Sequence, residues 1–154
     1  MSRKAAKPRI AWEDRFAAPD AGELLAPFAK TQGVLLQSVR DGLAGLGDVI
    51  ETIVWHGVPW RWTFAFAWES EPERPWAYLV PQPGRPLLAM PLTGEVIAGL
   101  PMRKLSKSVR DGLTLASLVG GVYWPQWPLV GRAQVEELIG IARRRQEALG
   151  VATA

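Results

Sequence analysis

The chain has 154 residues, enough for one domain with a core of its own, and carries no cysteine and a single histidine, His56. Those counts exclude disulfides, thiolate catalysis, cysteine-held zinc or iron–sulfur centres and every multi-histidine metal site. The formal net charge of +3 belongs to the first fifteen residues, where Arg3, Lys4, Lys7, Arg9 and Arg15 outnumber Glu13 and Asp14, so the rest of the chain has no excess charge for duplex nucleic acid.

Residues 1–19 read as a flexible basic tail, with Trp12 and Phe16 able to pin part of it, and residues 20–150 as a single domain. No apolar signal-peptide core follows the basic start. The longest apolar run, Leu115 to Trp124, is broken by Ser117, Gly120 and Gly121 and is too short to span a bilayer. A soluble, cytoplasmic protein without a membrane partner is expected.

Asp20 with Glu23 three residues on is a capping-box signal for a short helix through Leu24, Leu25 and Phe28, with Pro27 inside it giving a kink or a late start. Beyond Gly33, Leu35, Leu36, Val39, Leu43 and Leu46 form the apolar stripe of a second helix. Val49 to Trp55 is rich in β-branched residues and reads as a strand, and Gly57-Val58-Pro59 turns the chain.

From Trp60 every second residue is aromatic: Trp60, Trp62, Phe64, Phe66 and Trp68. The residues between them are Arg61, Thr63, Ala65 and Ala67. A strand sends alternate side chains to opposite faces, so one face is aromatic and the other small and open to water. Glu69 to Pro75 is a loop, and Trp76 to Val80 the returning strand. With that loop length Trp68 stands opposite Trp76, and the pairs step back as Phe66–Tyr78, Phe64–Val80 and Trp62–Gln82. Tight packing is then expected at the loop end, and a cleft near Gln82, Trp60 and His56.

After the Pro83-Gly84 turn, Pro86 to Leu92 reads as a third strand, at an edge because of Pro91. Thr93 can cap a short helix containing Val96 and Ile97. Ser106 can cap a longer one with Leu105, Val109, Leu113 and Ala116 inward, stopped by Gly120-Gly121. Val122 to Trp124 is a short strand, and Pro125 to Pro128 leads into a last helix carrying Val135, Leu138, Ile139 and Ala142, with Gly150 as its terminator. The hexamer Ser38 to Leu43 recurs as Ser108 to Leu113, too short to make a repeat architecture.

Seven of the eight tryptophans lie between Trp55 and Trp127. As core they would form the sheet face under the helices. As a site they would line a pocket for a small apolar or planar molecule, or for a protein partner, with Trp55, His56, Trp60, Arg61, Trp62 and Gln82 as its residues. His56 with Glu51 or Asp48 is the acid–base alternative. Glu69, Glu71 and Glu73 alternate in a solvated loop, not at ligand spacing, so no metal site, cofactor or catalytic residue is assigned.

The helix Leu36 to Leu43, the strand Glu51-Thr52-Ile53-Val54-Trp55, the step Gly57-Val58-Pro59, the strand Trp76 to Pro81 and the closing helix Val135 to Arg145 resemble, over about residues 23–148, the YdhG-like group of small bacterial domains of unknown function. The resemblance implies an α+β fold, an antiparallel sheet packed by N-terminal and C-terminal helices. Some members are described as frataxin-like iron chaperones, so it also implies iron carriage as a further alternative.

Overall fold

The computed structural model describes residues 10–149; the basic cluster of residues 1–9 and the proposed terminator Gly150 lie outside the described residues. Helix α1 (Ala21–Leu25) opens on the expected capping box: the Asp20 carboxylate accepts from the Glu23 amide at 2.8 Å, and the Glu23 carboxylate accepts from the Asp20 amide at 3.3 Å. Helix α2 (Lys30–Ala44) starts earlier than Gly33. That glycine lies inside the helix, where a Cβ would meet nothing, so it does not separate the two helices.

Strands β1 (Val49–Trp55), β2 (Trp62–Trp68), β3 (Ala77–Val80) and β4 (Leu87–Ala89) form an antiparallel meander. Helix α3 (Gly94–Ala98) is capped by the Thr93 hydroxyl, which accepts from the Val96 amide. A 3-10 turn (Met102–Lys104) and helix α4 (Lys107–Thr114) follow. The chain then makes a separate hairpin, β5 (Ser117–Val119) and β6 (Val122–Trp124), before β7 (Gln126–Pro128) and the final helix α5 (Arg132–Leu149). The main sheet has the order β1-β2-β3-β4-β7, so the fold is α+β with an antiparallel sheet packed by N-terminal and C-terminal helices. Among the described residues no helix is long and apolar enough to cross a membrane.

Three local expectations give way to pairing. Residues 126–128 form a strand that covers β4, so β4 is not an edge; the edges are β1 and β7. Pro91 is compatible with this because it lies beyond the last residue of β4. Gly120 and Gly121 do not end a helix but form the tip of the β5–β6 hairpin, with φ of +60° and +80° that L side chains rarely adopt.

The register of the β2–β3 hairpin is one residue away from the expected one. Two successive turns take up the loop, with the Glu71 amide on the Trp68 carbonyl and the Arg74 amide on the Glu71 carbonyl. The Trp76 amide then reaches the Phe66 carbonyl, and Ala77 rather than Tyr78 stands opposite Phe66. Because side-chain direction has a period of two, Leu79 joins the face of Phe64 and Tyr78 moves to the face of Ala65.

Trp62, Phe64, Phe66 and Trp68 share their face with Leu79, Leu88 and Trp127. The helices pack on this side. Arg40 of α2 lies 4.9 Å from the centroid of the Phe64 ring and binds Glu51 of β1, and the Trp127 indole N–H donates to the Val109 carbonyl of α4 at 2.9 Å. Burying each such ring contributes about 1.5–3 kcal/mol before entropy is counted. The opposite face is not open to water as expected: Thr63, Ala65 and Ala67 are all buried.

Residue 20 is not where packing begins. Trp12 is buried, its indole N–H donates to the Trp60 carbonyl at 2.9 Å, and the Trp62 indole N–H donates to the Asp14 carbonyl at 2.7 Å. The segment from Trp12 to Asp14 therefore lies across the end of β2 and satisfies two indole donors. Trp12→Ala is expected to lower stability by about 3–5 kcal/mol, as buried aromatic truncations do; an unchanged urea midpoint would show that the segment stands outside the cooperative unit.

The repeated hexamer is helical in both places and performs one task twice. Val39 and Leu43, like Val109 and Leu113, are buried, and the glycine between them admits a bulky neighbour: a Cβ on Gly42 would meet Ile139 of α5 at 2.8 Å, and one on Gly112 would overlap the Trp127 indole. Gly112→Ala should accordingly cost about 1–3 kcal/mol through overpacking. Gly140→Ala, in α5 with nothing within 4 Å of the added carbon, should instead stabilise by up to about 1 kcal/mol. Equal shifts of the two denaturation midpoints would contradict this account of the helix–sheet contact.

Candidate functional site

The residues named from the sequence separate into two groups on opposite sides of the sheet end. The cause is the β1–β2 turn. The His56 amide donates to the Arg61 carbonyl at 2.8 Å and the Arg61 amide to the Gly57 carbonyl at 2.6 Å, closing a short loop. Within it Gly57 has φ of +81°, Val58-Pro59 is cis, and Arg61 has φ of +59°. The left-handed backbone at Arg61 interrupts the two-residue alternation, so Trp60 does not share a face with Trp62.

On the helix side, Trp55 and Trp62 pack edge to face with centroids 5.6 Å apart. Arg61 lies 5.0 Å from the centroid of the Trp12 ring and pairs with Glu13 at 3.4 Å. Trp62 is buried beneath the Asp14 carbonyl. Trp55 and Arg61 line a shallow depression with Arg15, Phe16 and Val58. Arg61 and Trp62 thus hold the N-terminal segment in place, with Trp55 packed edge-on to Trp62.

On the other side His56, Trp60 and Tyr78 form a triangle of rings that Trp124 extends. The centroid of His56 lies 4.7 Å from that of Trp60 and 5.2 Å from that of Tyr78; Trp60 and Tyr78 are 5.6 Å apart, and Tyr78 and Trp124 5.9 Å. Beside Trp60 a cleft of about 240 Å³ is lined by Trp60, Gln82, Arg85, Leu87, Gln126 and Pro128, with Pro59 at its rim. A larger cleft of about 500 Å³ shares Arg85, Gln126 and Pro128 with it and extends along Trp124 to Asp111 and Leu115 of the α4 end. Trp60 and Gln82 both line the smaller cleft, on the small-residue face, whereas His56 lines neither cleft. Tyr78, Arg85, Trp124 and Gln126 were not among the sequence candidates. Tyr78 was assigned to the wrong face by the register, and Gln126 to a connecting segment.

Neither carboxylate proposed for His56 approaches it. Glu51 is held on the helix side by the Arg40 guanidinium at 2.7 and 3.3 Å, and Asp48 precedes β1 at the end of the strand opposite His56. Without a partner to orient the imidazole or share its proton, the acid–base alternative lacks its geometry. Among the described residues no three His, Asp or Glu side chains are grouped to hold a metal, which leaves the iron-carriage alternative without a ligand set.

Trp12, Trp62 and Trp127 satisfy their indole donors with carbonyls. Trp68 and Trp76 stack at 5.1 Å with both N–H groups buried and unpaired among the described residues; nothing in the packing explains this pair.

Burial pushes the Tyr78 phenol above its ordinary value. A neutral phenol favoured by the fold contributes stability that is intact below the unfolded-state pKa of about 10 and is lost as pH rises from there through the folded-state value. Stability should thus fall in strong alkali, and Tyr78→Phe should remove part of that fall; ultraviolet titration should show a raised tyrosine ionisation that vanishes in the same variant. A Tyr78 that ionises at the ordinary value would place it in water.

Compared with protein-family models, with curated proteins and with solved structures, the chain finds no match.

Proposed function

We propose that this protein is a non-catalytic, cytoplasmic binder of a small planar molecule, which lies against Trp60 in the cleft on the small-residue face of the sheet. The observation that carries the reading is the cleft's composition. Trp60, Leu87 and Pro128 supply its apolar part, and Gln82, Arg85 and Gln126 a larger polar part, so a ring can rest on the first while polar groups meet the second. Together with the adjoining cleft of about 500 Å³ the space suits a fused-ring molecule. The ring cluster behind it keeps Trp60 from collapsing, since Trp60 is tied by its carbonyl to Trp12 and by its ring to His56 and Tyr78.

A neutral fused-ring probe, 2-naphthylmethanol, should bind the full chain saturably with one-to-one stoichiometry in calorimetry. Trp60→Ala should weaken it about tenfold, the loss of one aromatic contact, and should cost less stability than Trp12→Ala, because Trp60 is only partly buried and its backbone carbonyl remains for Trp12. Binding that ignores Trp60→Ala, or no binding, would overturn the reading.

A further inference from the structure

The smaller cleft has a polar wall whose chemistry narrows the ligand. Gln82-Pro83-Gly84-Arg85 is a β-turn, closed by the Arg85 amide on the Gln82 carbonyl at 3.0 Å. Proline presets φ at its second position and Gly84 takes φ of +80° at its third, so the turn brings Gln82 and Arg85, its first and last residues, to the same wall of the cleft. Gln126 of β7 completes that wall. None of these three side chains makes a hydrogen bond or ion pair with another described residue; the ion pairs present join Arg40 to Glu51, Arg61 to Glu13 and Arg74 to Glu71. The smaller cleft's lining contains no carboxylate, and the acid of the larger cleft, Asp111, lies in its α4 portion with Ser108 and Gly112.

Beside Trp60, Leu87 and Pro128, the exposed and unpaired Arg85 guanidinium, the half-buried Gln82 amide and the exposed Gln126 amide can together receive a negatively charged group attached to a planar one. Charge-assisted bonds to Arg are the stronger kind and suit the flat, two-oxygen edge of a carboxylate or phosphate. Resting on the reading that Trp60 binds a planar molecule, we infer that the ligand is an anionic aromatic compound: its ring system stacks on Trp60, and a carboxylate or phosphate is held by Arg85 with help from Gln82 and Gln126.

The experiment compares 2-naphthoate and 2-naphthyl phosphate with the neutral 2-naphthylmethanol on the full chain. At least one anion should bind tenfold or more tightly than the alcohol, and the preferred one identifies the group. Arg85→Met should abolish that preference by weakening the anion far more than the alcohol, whereas Arg103→Met, a charge control outside the lining of both clefts, should leave the preference intact. If the alcohol binds and neither anion binds better, or if Arg85→Met leaves the preference intact, the inference is overturned and planar binding stands. If neither the alcohol nor either anion binds, both fall together.

Discussion

Every residue of β2 is buried, on both faces and along both edges. Its backbone is paired with β1 on one side and β3 on the other, and its side chains divide by size. The rings of Trp62, Phe64, Phe66 and Trp68 point one way, and Thr63, Ala65 and Ala67 the other. The asymmetry decides how the faces are covered. The bulky face meets α2 through Arg40 on Phe64 and α4 through Trp127, where Gly112 removes a side chain, while Gly42 lets α2 close on Ile139 of α5. The small face, by contrast, carries the ring cluster of His56, Trp60, Tyr78 and Trp124 and the clefts beside it. A strand buried this completely leaves its partners little freedom, since a shift of one residue would exchange rings for methyl groups throughout.

Two short turns determine what lies on each side of that strand. At Arg61 the chain takes a left-handed backbone, a conformation costly for a residue with a Cβ and one supported here by a ring contact to Trp12 and an ion pair to Glu13. Trp60 is thereby placed on the small face while Trp62 stays with the helices. At the other end of β2 the loop to β3 has the length that sends Tyr78 to the same side as Trp60. The aromatic cluster and its cleft exist because both turns have this parity. The N-terminal segment belongs to the same arrangement: through Trp12 it binds the carbonyl of Trp60, and through Asp14 the indole of Trp62, so it supports the site while remaining outside it.

Much of the local structure was legible in the residues. The alternation from Trp62 to Trp68 identified the strand, Asp20 with Glu23 the start of α1, Thr93 the start of α3, and Pro83-Gly84 the turn that carries Gln82 and Arg85. Each of these signals acts within a few residues and depends on side-chain period or backbone preference alone. Of the candidate site, Trp60, His56 and Gln82 were named in advance, whereas Arg61 and Trp62 turned out to anchor the N-terminal segment, with Trp55 packed on Trp62. Gln126 reaches the cleft because β7 pairs with β4, and Trp124 through the ring contact to Tyr78, both distant from Trp60 along the chain, and no local pattern marks either.

The amino-acid order by itself determined the α+β class, the antiparallel sheet and its central aromatic strand, because hydrophobic period and turn chemistry are properties of short segments. Only the tertiary structure decided which face each ring occupies, which strands form the edges and where the cleft opens. Register turns on the parity of a loop, and parity is settled by which backbone hydrogen bonds the loop allows: with the Trp76 amide on the Phe66 carbonyl, Tyr78 stands beside Ala65. Strand order is likewise a choice among pairings of similar energy, made here when β7 added to β4 and buried Trp127 against α4.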